Sequence, residues 1–427
     1  MKRILLISAL IASFCIGDIA ARKEYKQIRS SLKAGRNDEA ANLVEKAKKD
    51  SSMMNDPELY LLGAEAQKKI NDDYNKKLYL KQLQKTEDSI RLFSSTYGIF
   101  ENLIKCDELE SRPDKKGRSK PKNRGKIRST LSMYRPNLFN AGLFFVKKKQ
   151  YAEANKYFSM YINVTRTPIF IADSLQNSDT KMPRSAFWSM ACCYALNDYK
   201  GVFNFEKLAM RDTANIKLCI QYQALSYAAL KDMPNMVGEL KQGLRYDGND
   251  LFFFSRLADY YNSVKDYDKG LALCDSMIKT DDKQLMYKYA KSVVLFHQKK
   301  YDECIALSQY VIANDSTNVD ANYYMASCYF NKATAIDDNI KANVDAKTYN
   351  SQKAAARELF QKALPYFENY RKKRPSDSAR WAAPLYRIYL FLNMGKQFSE
   401  MDNLLKQADQ QKQAEAQKAN AKEEKKK

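Results

Sequence analysis

Few residues in this 427-residue chain could carry chemistry, and their spacing does not assemble them. The one histidine, His297, stands before a Gln298-Lys299-Lys300 turn. An imidazole there reads as the C-terminal end of a helix, with no acid or base beside it to make a proton relay. The acid pairs Asp281-Asp282 and Asp337-Asp338 fall at turns and read as solvated carboxylates. Gly-rich phosphate loops, HExxH and GxSxG are absent. Of 8 cysteines, Cys15 sits in an N-terminal apolar run, which leaves Cys106, Cys192, Cys193, Cys219, Cys274, Cys304 and Cys328. An odd number cannot pair completely within one chain, and no paired CxxC spacing suggests zinc. These thiols read as small hydrophobes. The sequence therefore predicts no catalytic residue, no metal ligand and no cofactor, and the chain is not read as an enzyme.

What remains is binding, and charge limits its partners. The formal net charge is +22. Such a balance favours acidic partners without specifying a fold. Nucleic acid would be the usual inference, but residues 1–21 argue against it. Lys2 and Arg3 precede an apolar run, Ile4–Ile16, and small residues end at Ala21, the pattern of a secretory signal peptide. Phe14 stands where a lipidation motif before Cys15 requires a small residue, so no lipid anchor is expected. The expected location is the periplasm or the cell envelope, with no nucleic-acid partner. No later window is long and apolar enough to span a bilayer.

The chain between the ends reads as helices. Only 13 Gly and 10 Pro punctuate it, while 29 Tyr and 20 Phe are spread at helical spacing, where aromatics fill seams between helices. Residues 22–110 are expected to form N-terminal helix pairs. The first has Asp38 capping its second helix. The next has Asp56-Pro57 opening one helix, and Tyr74–Gln84 forms the second. A further amphipathic helix covers 87–110. Residues 111–130 are a basic loop in which Arg112, Lys115, Lys116, Arg118, Lys120, Lys122, Arg124, Lys126 and Arg128 face one Asp. The loop reads as solvated, with docking of an acidic partner or an anionic envelope surface as the functional reading; no aromatic in it supports base stacking. Residues 131–406 form an array, with a spacer at 169–183 able to extend a helix and an insert at 333–352. Residues 407–427 are a frayed helical or disordered tail.

The array is clearest at 251–318. Tyr267-Asp268 and Tyr301-Asp302 lie one period of 34 residues apart, small residues follow at Gly270 and Cys304, and Ala258 and Ser292 open the facing helices. Starts at 217, 251, 285 and 319 keep this period. The pattern resembles the tetratricopeptide repeat family. The resemblance implies an all-α solenoid: antiparallel helix pairs stacked in a right-handed superhelix, its inner surface lined by first helices. Small residues such as Gly142 and Ala154 then allow close approach, and aromatics such as Phe145 and Phe158 reach the neighbouring repeat. At Lys288 and Lys291 the pattern departs, with Tyr287 and Ala290 taking over by a one-residue slip.

In the family's register the groove residues are Phe139, Leu143, Asp259, Asn262, Tyr289, Phe296, Tyr323 and Phe330. They make an aromatic, mildly polar groove suited to a segment of another protein. The expected function is a non-enzymatic scaffold of the cell envelope that holds a partner protein. The alternative is charge-driven binding to an anionic envelope polymer or membrane surface.

Overall fold

The computed structural model describes residues 23–80, 82, 85–114, 116–341 and 343–424; the expected signal segment at 1–21 and Lys115 lie outside the described residues. The fold is an all-α array of antiparallel helix pairs of the tetratricopeptide type, with no β-strand among the described residues. The most regular element is a turn. Asn197, Lys231, Lys265 and Lys299 have φ of 58°, 62°, 59° and 62° and stand 34 residues apart. At each, a first helix ends in the same double hydrogen bond. The Lys265 N–H donates to the Asn262 carbonyl (3.1 Å) and the Asp266 N–H to Tyr261 (2.9 Å). Around Lys299 the carbonyls are those of Phe296 and Leu295, both at 2.9 Å. This closure satisfies the last carbonyls and reverses the chain. Asp266 then caps the second helix, accepting from the Lys269 N–H at 3.4 Å.

The described residues fall into two compact units, the first ending at Glu239 and the second beginning at Leu240. The first opens with α1 (residues 23–33) against α2 (Asn37–Ala47). Arg36, not Asp38, holds the N-cap position of α2. Asp38 lies in the first turn and pairs with Arg91. Then α3 (Pro57–Tyr79) and α4 (Thr86–Glu110) form a long hairpin. The expected break before Tyr74 does not occur. No Gly or Pro interrupts Gln67–Tyr74, and buried Asn71 ties this turn to α4, donating to Thr96 Oγ1 and the Leu92 carbonyl, each at 2.8 Å. Asp56 caps α3 as expected, accepting from the Glu58 N–H (2.9 Å) with Pro57 in the first turn.

Next come α5 (Arg124–Lys147) and α6 (Tyr151–Asn163). Gly142 lets α5 approach α6 so closely that an added Cβ would overlap the Phe158 ring. The spacer does not extend a helix. A single 3₁₀ turn at Ile171–Asp173 and the one-turn α7 (Leu175–Ser178), separated by Ser174 at φ 50°, occupy it up to the start of the next helix at Lys181. In the next pair α8 (Lys181–Ala195) is regular, but its partner is a 3₁₀ turn and the short α9 (Glu206–Ala209). Gly201 and Asn204 are weak helix formers there. The unit ends with α10 (Ile216–Ala229) and the first part of α11 (Met233–Tyr246).

The second unit holds the end of α11, α12 (Leu251–Ser263), α13 (Tyr267–Thr280), α14 (Leu285–His297) and α15 (Tyr301–Asn314). Tyr287 is buried edge-to-face on Phe254, 4.6 Å between centroids, so it does supply the large residue of this repeat. Lys291 reaches back instead to Asp275 on α13 (2.6 Å).

Then α16 (Val319–Asp338) and α17 (Ala346–Lys373) follow. The 333–352 insert is therefore mostly helix. It lengthens both arms of one hairpin and leaves only residues 339–345 as a connection. Phe360, Phe367 and Tyr370 of α17 are buried along the seam. Finally α18 (Ser378–Phe391) packs on α19 (Gly395–Glu424), which carries most of the expected tail as continuous helix.

Candidate functional site

First helices of the second unit, α12, α14, α16 and α18, carry six of the eight expected groove residues or their neighbours. On α12, Asp259 is exposed, yet burial by the surrounding chain pushes its carboxyl above the usual range, opposed by Arg256. Asn262 is half-buried, and its Oδ1 has no hydrogen-bond partner among the described residues. On α14, Tyr289 and Phe296 both contact Tyr324 of α16, with ring centroids 6.1 and 5.3 Å apart. Burial pushes the Tyr289 phenol up and raises that of Tyr324 to about 12. Both rings are thus fixed and neutral at physiological pH.

Tyr323 and Phe330 play a different part. Tyr323 packs on Tyr370 (5.2 Å) and Phe367 (6.2 Å), and Phe330 on Phe360 (5.8 Å) and Phe367 (6.0 Å). They close the seam between α16 and α17 and present only part of each ring to solvent. Arg380 of α18 lies over Tyr323, 5.0 Å from the centroid. Its guanidinium donates to the Tyr370 hydroxyl at 3.2 Å and to Asp320 at 3.4 Å, and lies 3.6 Å from Asp377. Sequence reasoning missed Tyr324 and Arg380. The Tyr323-Tyr324 doublet was a signal for the first. Arg380 follows the insert, where the 34-residue register is lost.

Phe139 and Leu143 belong to the first unit. Phe139 is half-buried on α5, against Phe158 (5.9 Å) and Tyr161 (6.0 Å), with the Lys181 ammonium 5.5 Å from its ring. Leu143 packs against the same core. The first unit has a cleft of its own that the sequence did not indicate, about 320 Å³ between α3, α4 and α5. Leu61, Leu62, Ile99 and Leu103 form its apolar part, and Glu65 and Lys126 stand among its polar edges.

The basic loop is less free than its composition implies. It ends at Asn123, and Arg124, Lys126 and Arg128 already lie on α5. Glu110 binds the returning chain, accepting from the Asn123 N–H (2.9 Å). Buried Asp107 forks Arg124 at 2.8 and 2.9 Å. Arg128 pairs with Asp173, Arg118 with Asp114 (3.0 Å), and Arg112 donates to Asn55 (3.0 Å). Lys116, Lys120, Lys122 and Lys126 keep exposed ammonium groups.

The chemistry-bearing residues stay apart. Among the described residues no three His, Cys, Asp or Glu side chains lie together in a metal-binding group. His297 ends α14 and stacks on Tyr267 at 5.9 Å, and burial lowers its pKa. Asp281 closes a turn by accepting from the Lys283 N–H (3.0 Å). Asp337 and Asp338 are not free turn residues: Lys353 reaches Asp337 (2.6 Å), and Arg387 pairs with both acids.

No family model matches the chain, and no curated protein does. Several solved structures have similar backbones. The C-terminal part of a TPR repeat-containing protein from Cytophaga hutchinsonii aligns over 62% of this chain and 92% of its own, with 13% identity and a TM-score of 0.41. A tetratricopeptide repeat protein from Parabacteroides merdae aligns over 64% and 97%, with 12% identity and a TM-score of 0.37. A human IFIT1 dimer solved with m7Gppp-AAAA aligns over 79% and 72%, with 14% identity and a TM-score of 0.36. These likenesses are too distant to carry a ligand from one protein to another.

Proposed function

We propose that this chain is a non-enzymatic scaffold, exported to the cell envelope, that holds a segment of a partner protein on the first-helix face of its second unit. One observation carries the reading. Tyr289 and Tyr324 are held by ring contacts, and no hydrogen bond joins their phenol groups to another described residue, while Arg380 stands nearby. Rigid aromatics with unused donors, next to a guanidinium, supply contact area at low entropic cost and can read a backbone. Export is supported by the leader pattern in residues 1–21.

The charge-driven alternative draws on fewer cations than composition alone provides, because Arg112, Arg118, Arg124 and Arg128 are engaged within the chain. Site-specific photo-cross-linking in the native host separates the two readings. A photoreactive residue at 324 should capture one defined protein, and one at exposed Tyr310 on α15 should not. Equal capture from both positions, or capture only from Lys120, would refute the groove.

A further inference from the structure

We propose that a notch on the second-helix side of the second unit docks an acidic segment of a partner protein, one that inserts apolar side chains between Lys241 and Arg245. The notch measures about 470 Å³ and lies between α11 and α13. Leu244, Leu257, Tyr261 and Leu273 make its floor, and Lys241 and Arg245 its rim. Both rim cations are exposed, and neither has an acidic partner among the described residues. Lys269, also at the edge, is already paired with Asp266 at 2.6 Å.

Repeat geometry alone does not require this opening, because the next repeat closes it. One period on, Lys241 becomes Asp275 and Leu257 becomes Lys291. That pair forms a 2.6 Å ion pair across the corresponding place. The two substitutions that remove the plug also leave an apolar floor under unpaired positive charge. An apolar side chain flanked by carboxylates complements both features, since the carboxylates meet the rim as the side chain leaves water. The opening is a broad depression lined by α11, α12 and α13, so the occupant is a protein side chain at a surface.

The test uses the full chain and a fluorescein-labelled peptide with Leu-Phe flanked by glutamates, measured by anisotropy. A control peptide has every Glu replaced by Gln. The double variant Lys241→Asp/Leu257→Lys transplants the neighbouring repeat's ion pair into the notch. A second variant, Lys241→Glu/Arg245→Glu, alters exposed side chains only. Each should weaken binding about tenfold or more, and the Gln peptide should bind the parent chain comparably weakly. Rising salt should weaken the acidic peptide, with screening over about 10 Å at roughly 0.1 M. Unchanged affinity in both variants, or equal binding of the Gln peptide, overturns the proposal. So does a parent chain that ignores the peptide yet binds anionic phospholipid vesicles in a manner abolished by the charge reversal.

Discussion

Lys231, Lys265 and Lys299 hold a left-handed backbone that suits glycine, and an L side chain there costs about 1–2 kcal/mol. Each follows a first helix, so its ammonium meets the negative end of the helix dipole, which offsets about 0.3–1 kcal/mol. Glycine would remove the steric cost but loosen the unfolded chain by about 0.4–1 kcal/mol. Lys265→Gly relieves the steric cost but gives up both the dipole contribution and the restriction of the unfolded chain, so its stability should stay within about 0.5 kcal/mol of the parent. Lys265→Val should destabilise, because a β-branched side chain tolerates positive φ least. Urea midpoints check the order, with the Gly variant close to the parent and the Val variant clearly below both. A glycine-based search for turns would have overlooked these positions, since among the described residues only Gly35 and Gly117 are glycines with positive φ.

Elements differ in how far their own sequence determines them. The helices of 251–318 were legible because the turn, the cap and the small residues recur together, each enforcing the same chain reversal. The length of α3 was not, because its continuation depends on Asn71 finding the Leu92 carbonyl in a helix still to come. The insert stood out as an interruption of the array because Asp337-Asp338 resembles a turn. Its helices are held by Lys353 and Arg387, the latter about fifty residues away. The same distance hid Arg380, whereas Tyr289 and Tyr323 could be placed by counting. The spacer depends on a similar remote clamp. Buried Arg135 of α5 donates to Asp179 (2.5 Å) and to the Tyr161 carbonyl (3.2 Å), and the Tyr161 hydroxyl donates to Asp179 (2.7 Å). Burial opposes the Asp179 charge, but Tyr161, the Lys181 N–H and Arg135 prevail and hold its carboxyl below the ordinary value. A lowered folded pKa contributes stability above the unfolded value, about 4, that is lost as pH falls through the folded one. Arg135→Ala should cost about 3–5 kcal/mol near neutral pH, as for any broken buried pair. Asp179→Asn should flatten the loss of stability below about pH 4. Thermal melts at pH 7 and pH 3 test both outcomes.

Across the whole molecule, the thiols are the most evenly distributed reporters of packing. Cys106, Cys192, Cys193 and Cys219 lie in the first unit and Cys274, Cys304 and Cys328 in the second; all seven are free and buried. They occupy small positions where helices meet, which is why their odd number needs no disulfide scheme. Burial pushes the thiols of Cys106, Cys192, Cys219 and Cys274 up to about 12, and that of Cys193 to about 11. The thiolate is the reactive form, so a pKa near 12 instead of about 8.5 leaves well under a thousandth of the usual nucleophile at pH 8. Reaction must then proceed through local opening, and its rate reports the stability of the surrounding helices. Repeat arrays open neighbour by neighbour, so the two units need not open at the same rate. Iodoacetamide labelling of the native chain at pH 8, read by mass spectrometry, should leave these five thiols unmodified long after an unfolded control is complete. Within the first unit, Cys192 and Cys193 should label before Cys106, because their pair lacks a regular second helix while Cys106 sits in the longer α3–α4 hairpin. Simultaneous labelling of all three would show instead that the unit opens as one cooperative body, with the broken second helix contributing no local weakness.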